Sequence, residues 1–114
     1  MPFINLKTNV NVTKESSIEL KKQFGELISI LPGKSETWLM VEVEGNKEMY
    51  FRGTDEPLAV LEVKVYGNSL DDEKSNKLTS ALTEAAHKIL KVPSDRIYVA
   101  YFLTSTWGFA GENF

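Results

Sequence analysis

A strand–helix–strand pattern occurs twice in the 114 residues, and this repetition limits the possible folds more than any other feature. The first copy has strand-like segments at about 3–10 and 38–44, and the second has them at 58–65 and 97–102. Each copy contains a segment with apolar residues at helical spacing between its two strands. Right-handed crossovers place both helices on one side if the halves are related by a pseudo-twofold axis. The sequence therefore predicts an α/β (α+β) fold, in which two β-α-β repeats form a four-stranded mixed sheet with two helices on one face.

The helix boundaries are predicted from capping signals. Residues 13–19 offer several starts for the first helix, including Ser16 with Glu19 as a capping box, and Pro32-Gly33 ends that helix. Asn68 and Ser69 are the candidate caps of the second helix.

The strands alternate in a way that predicts one apolar and one charged sheet face. Leu61, Val63 and Val65 alternate with Val60, Glu62 and Lys64, for example. Residues 49–51 are predicted as a short extra strand. Large apolar side chains remain that have no evident place in a two-layer monomer: Trp38, Met40, Phe51, Phe102, Trp107 and Phe109. Exposed together they would form a patch that needs a partner, so we expect a homo-oligomer whose charged sheet face lines a wet interior.

Length and composition exclude several classes of function. The length predicts one domain, residues 1–114. A net charge of −3 with no basic block argues against a nucleic-acid partner, and the absence of cysteine excludes thiol chemistry. No signal-peptide pattern and no apolar run of membrane-spanning length is present, so we expect no membrane partner, and a cytoplasmic location or export without a signal peptide. The acidic residues 71–73 fit a helix start better than a metal site.

Pro2 follows Met1 directly and precedes a strand. Removal of an initiator Met is common before a small residue such as proline, and it would leave Pro2 with a free secondary amine. That amine is a base and a nucleophile held rigidly by its own ring. Because a strand follows, the amine would occupy a fixed place on the sheet, which makes Pro2 a candidate catalytic base. The alternative is that Pro2 is only an N-terminal proline.

The sequence resembles the macrophage migration inhibitory factor and D-dopachrome tautomerase family, within the tautomerase superfamily. The resemblance covers essentially the full length. Each matching segment is weak alone, but their order and spacing are fairly specific: Met1-Pro2-Phe3, Thr8-Asn9-Val10, Gly33-Lys34, Phe51-Arg52-Gly53-Thr54-Asp55-Glu56-Pro57, Tyr66-Gly67, Asp95-Arg96-Ile97-Tyr98 and Trp107-Gly108-Phe109. The family implies a trimer with active sites at the subunit boundaries.

The resemblance also implies roles for single residues. Pro2 would be the catalytic base, Lys34 would bind a substrate carboxylate, and the backbone N–H of Tyr66 would assist. Tyr98 would reach the site from a neighbouring subunit. The remaining matches surround an aromatic substrate pocket: Phe3, Trp38, Trp107, Phe109 and Phe114.

The implied activity is keto–enol tautomerisation of a small aromatic 2-oxo acid such as phenylpyruvate, with neither a metal nor an organic cofactor. Two departures from the family pattern matter. Ala100 stands where animal members often have Asn, and the Cys-x-x-Cys of the animal protein is absent after Glu56-Pro57. The missing polar group at Ala100 favours the alternative, a binding or signalling protein with weak or vestigial tautomerase activity.

Overall fold

The structure, a computed structural model, describes residues 1–114. Four long strands and two helices form the body of the molecule, and two short strands follow. In chain order the elements are β1 (Pro2–Thr8), α1 (Lys14–Leu27), β2 (Met40–Glu44), β3 (Ala59–Tyr66), α2 (Asp72–Leu90), β4 (Ile97–Thr104), β5 (Gly108–Phe109) and β6 (Glu112–Asn113). Single turns of 3₁₀ helix lie at Ile28–Ile30, Glu36–Trp38 and Ser94–Arg96.

The four long strands form one mixed sheet in the order β2-β1-β3-β4. β1 runs parallel to β2 and antiparallel to β3, and β3 runs parallel to β4. Each parallel pair is joined through one helix, as a β-α-β unit requires. The predicted fold of two β-α-β repeats with a four-stranded mixed sheet is therefore confirmed.

Both helices pack on the same face of the sheet, around one hydrophobic core. From the helices, Phe24 of α1 and Leu82 of α2 are fully buried. They belong to the same cluster as Ile4 of β1 and Val63 of β3. None of the helices combines the length and the apolar character that crossing a membrane requires.

Several predicted elements differ from the structure in their bounds or are absent, among them α1, which ends at Leu27 and not at Pro32-Gly33. β1 ends at Thr8 rather than Val10, where the Thr8 hydroxyl donates to the Leu58 carbonyl at 2.6 Å. Trp38 lies in a 3₁₀ turn before β2 and not in the strand. The extra strand predicted at 49–51 is absent, because Phe51 pairs only with Thr54 across a tight turn.

The N-cap of α1 is the first of the offered helix starts and not Ser16, and the N-cap of α2 lies beyond both predicted candidates, Asn68 and Ser69. The side chain of Thr13 accepts a hydrogen bond from the Ser16 backbone N–H at 3.0 Å, so Thr13 is the N-cap of α1. Asp71 caps α2 in the same way, accepting from the Lys74 N–H at 2.9 Å. In both cases several cap-forming residues lie in a row, and the helical hydrogen bonds decide which one is used.

Replacement of Asp71 by alanine is expected to lower the free energy of unfolding by about 1 kcal/mol, because the first turn of α2 loses its cap and a favourable negative charge. Ser69→Ala is the matched control, since Ser69 lies outside the helix, and it should change stability by only a few tenths of that amount. Urea denaturation of both variants measures the difference. An equal loss from both would contradict the assignment of Asp71 as the cap.

The sheet face away from the helices carries a polar network. Asn5, which is buried, donates to the carboxylates of Glu42 at 3.2 Å and Glu44 at 3.0 Å. Lys7 donates to Glu62 at 3.0 Å. That hydrogen bond and the charge of Glu62 raise the pKa of Lys7, and the hydrogen bond from Asn5 is the main reason that the pKa of Glu44 is lowered. This open face is therefore charged, as the alternation of the strands predicted.

Candidate active site

The first residues of β1 lie at the base of a cleft of about 470 Å³. Its other walls are the segment that precedes and begins β2 and the segment that leads into β5. The cleft is mainly apolar, and Pro2 itself is buried. Five of the predicted site residues line this cleft: Pro2, Phe3, Trp38, Trp107 and Phe109.

The segment between α1 and β2 carries Trp38 to the cleft, and it carries Lys34 to a second pocket of about 270 Å³ that Tyr66 also lines. Gly33 has a φ of +76°, a value that suits glycine, and this reverses the chain after the helix. The 3₁₀ turn Glu36–Trp38 then packs against α1. Gly25 of α1 is buried there, and a Cβ at this position would overlap the Glu36 side chain. A side chain at position 25 would therefore displace the end of the Glu36 side chain.

Lys34 and Tyr66 meet beside the N-terminus. The Lys34 ammonium donates to the Tyr66 carbonyl at 2.9 Å, and the Tyr66 N–H donates to the Met1 carbonyl at 3.1 Å. The pKa of the Met1 amine is lowered, first because burial disfavours the charged form and second because the Lys34 cation is near. An amine at this end of β1 thus lies in surroundings that favour its neutral, basic form.

The tail after β4 forms a hairpin that covers one side of the site. Ala110 and Gly111, both at positive φ, make the turn between β5 and β6, and the Phe114 N–H donates to the Trp107 carbonyl at 3.0 Å. The sequence predicted a short aromatic tail but not this pairing.

The hairpin brings Phe114, the last of the predicted wall residues, into contact with the other aromatic side chains. The ring of Phe109 packs edge-on against Trp38 with centroids 5.2 Å apart. The ring of Phe114 packs against Tyr66 at 5.7 Å and against Phe109 at 6.4 Å. Ring contacts therefore run without a break from Trp38 through Phe109 and Phe114 to Tyr66, and so connect the cleft to the residue that Lys34 contacts.

Tyr98 lies outside this group. It pairs with Val60 near the start of β4, whereas Pro2 pairs with Val65, whose partner on β4 is Leu103. Five residues of strand separate the two positions, or about 17 Å. Within one chain Tyr98 is thus remote from the cleft, and its role in the site stays a prediction about an assembly. Ala100 follows it on the open face, half-buried and opposite Glu62.

The contacts of Arg96 were not predicted from the sequence. Its guanidinium donates to the backbone carbonyls of Phe51, Thr54, Glu56 and Pro57, at 3.0 to 3.3 Å. The segment that carries Arg96 and the segment 51–57 that carries the carbonyls were predicted only as parts of the family pattern. Backbone carbonyls are present in every sequence and do not affect side-chain periodicity. The structure is therefore needed to show that the segments 51–57 and 95–98 are in contact.

Comparison with known proteins agrees with this architecture. A family model described as "Macrophage migration inhibitory factor (MIF)" matches residues 1–114. A macrophage migration inhibitory factor homolog of Brugia malayi is 29% identical over 119 aligned residues, which cover the whole of this chain and 99% of the relative. The crystal structure of Leishmania major MIF2 superposes with a TM-score of 0.93 at 27% identity, covering all of this chain and 97% of that one. The Toxoplasma gondii factor superposes with a TM-score of 0.86 at 24% identity, over 98% and 99% of the two chains. This chain belongs to the macrophage migration inhibitory factor family.

Proposed function

We propose that the protein is a cofactor-free keto–enol tautomerase that acts on a small aromatic 2-oxo acid such as phenylpyruvate. In this proposal, removal of Met1 exposes the secondary amine of Pro2, which is the catalytic base. In the keto-to-enol direction the amine takes a proton from the carbon next to the substrate carbonyl, and a proton is returned at the carbonyl oxygen. In the reverse direction, which consumes the enol, the enol hydroxyl loses its proton and a proton is returned to that carbon. Proton transfer of this kind by a positioned group is worth about 10²–10⁴-fold in rate.

The observation that carries the proposal is the set of contacts made by Met1. Its carbonyl accepts from the Tyr66 N–H, and its amine lies near Lys34. When Met1 is removed, the Tyr66 N–H loses its acceptor and the space beside Lys34 becomes free. A hydrogen-bond donor, a cation and a basic nitrogen would then face the same volume, next to the aromatic cleft.

The surroundings of Pro2 support a role as a base. A secondary amine has an intrinsic pKa above that of an ordinary α-amino group, so a neutral amine near pH 7 needs a lowered pKa. Pro2 is buried and lines the apolar cleft, and burial disfavours the ammonium form. The nearby Lys34 acts in the same direction, and it can also bind the substrate carboxylate through charge-assisted hydrogen bonds.

The proposed assembly is a homotrimer with active sites at the subunit interfaces. Large apolar side chains are exposed in the single chain, among them Met40, Tyr98 and Phe102. A neighbour that covered them would also bring its Tyr98 towards the cleft. Tyr98 would then polarise the carbonyl oxygen or orient the substrate.

The function is tested by following the loss of phenylpyruvate enol with protein whose intact mass shows that Met1 is absent. We expect a rate that rises in proportion to protein concentration and that saturates with substrate. A rate equal to that of buffer alone would overturn the proposed activity.

A binding or signalling role is the second candidate, and Ala100 is the observation that favours it. The open face lacks a polar group at this position, so one contact to a substrate would be missing in the assembly. A specific partner protein bound equally well by the wild type and by Pro2→Gly, together with turnover near background, would favour this candidate.

A further inference from the structure

Arg96 holds together a loop, residues 51–57, that lies against Tyr98. Arg96 is almost fully buried, with 9% of the residue exposed. Its Nε donates to Pro57 at 3.0 Å, Nη1 to Phe51 at 3.1 Å, and Nη2 to Glu56 at 3.0 Å and Thr54 at 3.3 Å. Four carbonyl dipoles that converge on one point would repel one another without a cation, so the loop depends on this side chain for its shape.

The loop is tightly folded where it carries Phe51. Phe51 and Thr54 exchange backbone hydrogen bonds at 2.9 and 3.1 Å, and the two residues between them have positive φ values of 53° at Arg52 and 77° at Gly53. The position of the Phe51 ring is therefore determined by a turn whose carbonyls are bound to Arg96.

The Phe51 ring in turn supports Tyr98. The Arg96 guanidinium lies 5.3 Å from the centroid of the Phe51 ring, and that of Arg52 lies 5.0 Å from it. Both distances suit a cation–π interaction. The Tyr98 ring packs edge-on against Phe51 with centroids 5.1 Å apart, and 62% of Tyr98 is exposed. Tyr98 is therefore held at one side by Phe51 while much of its surface is open to a neighbour.

We infer that Arg96 is a positioning residue, which orients Tyr98 through Phe51 for the active site of the neighbouring subunit. This inference rests on the proposed function, because Tyr98 is remote from Pro2 within one chain. It adds the loop 51–57, at the opposite end of the sheet from the cleft, to the parts of the protein that affect the proposed activity. The buried cation would then influence substrate binding without touching the substrate.

Arg96→Lys is the first test, because it keeps the charge and loses the planar fork. A lysine ammonium has three donors on one nitrogen and cannot reach four separated carbonyls in the same way. We expect KM for phenylpyruvate to rise about threefold to tenfold, the size of one weakened hydrogen bond, with a smaller change in kcat. Phe51→Leu, which removes the ring and keeps Arg96, should have the same effect and replaces the first variant if that one does not fold.

Tyr101→Phe is the matched control for a loss of stability alone. Tyr101 lies on the helix-facing side of β4, where its hydroxyl donates to the Ser75 carbonyl at 3.1 Å and is 2.9 Å from the Thr79 hydroxyl. This variant should lower the melting temperature and leave KM unchanged. An equal rise in KM from Tyr101→Phe would mean that Arg96 acts only through stability, and would overturn the inference.

A double-mutant cycle with Tyr98→Ala tests the route through Tyr98. If Arg96 acts only by orienting Tyr98, the variant Arg96→Lys/Tyr98→Ala should have the same kcat/KM as Tyr98→Ala. Additive losses, or an unchanged KM in both Arg96→Lys and Phe51→Leu, would overturn the inference while leaving the tautomerase intact. Failure of the proposed function is distinct, since Pro2→Gly would then react as fast as the wild type.

Discussion

Replacement of Pro2 by glycine is expected to lower kcat/KM for phenylpyruvate by about 10²–10⁴-fold, the value of a positioned proton-transfer group. Glycine keeps a free amine after Met1 is removed, but that amine is primary and is not held by a ring. It would rotate about its bond to Cα, and the geometry of proton transfer would be lost. Initial rates on protein with a verified N-terminal mass measure the effect.

A second form of the wild-type chain, which retains Met1, is the control for the amine itself. Its Pro2 nitrogen is part of an amide, and in the structure the Tyr66 N–H is bonded to the Met1 carbonyl. It should therefore be as inactive as Pro2→Gly, although its sheet and core are unchanged. Equal thermal stability of the three proteins would separate chemistry from folding. Wild-type rates from either altered form would contradict the role of the Pro2 amine.

The sheet and the helices were predictable because their signals are local and periodic. Leu61, Val63 and Val65 alternate along β3, and all three are buried in the structure. The caps were less predictable, since Asp71 and Ser69 are both common N-cap residues, and the structure shows a helical N–H bonded only to Asp71. N-cap propensity identifies the candidate residues, and the hydrogen bonds of the first helical turn determine which candidate is the cap.

The site was only partly predictable, for a different reason. The grouping of Lys34 with the aromatic residues came from family resemblance, and no periodicity in the sequence would bring Phe114 next to Tyr66. That contact depends on a hairpin whose turn is Ala110-Gly111, a short signal without flanking alternation. The Arg96 interaction is harder still to predict, because its acceptors are backbone carbonyls that any sequence contains.

Lys34→Gln is expected to raise KM for phenylpyruvate by about tenfold to a hundredfold. A hydrogen bond to a charged group contributes roughly 1.5–3 kcal/mol, and each 1.4 kcal/mol corresponds to a factor of ten. Glutamine keeps an N–H donor that the Tyr66 carbonyl, which Lys34 reaches at 2.9 Å, could accept, and it removes the charge. Lys77→Gln removes a charge from an exposed position on α2 and is the matched control, with no expected change in KM.

The same variant should move the pH dependence of kcat/KM in a defined direction. A nearby cation disfavours protonation of an amine, and Lys34 acts in this way on the N-terminal amine in the structure. We therefore expect that loss of Lys34 raises the pKa of the Pro2 amine exposed by removal of Met1, so that a higher pH is needed before the neutral base predominates. The acidic limb of the profile should therefore shift to higher pH in Lys34→Gln and stay in place in Lys77→Gln. A shift to lower pH would show that Lys34 does not lower the pKa of the base, and an unchanged KM would show that it does not bind the substrate carboxylate.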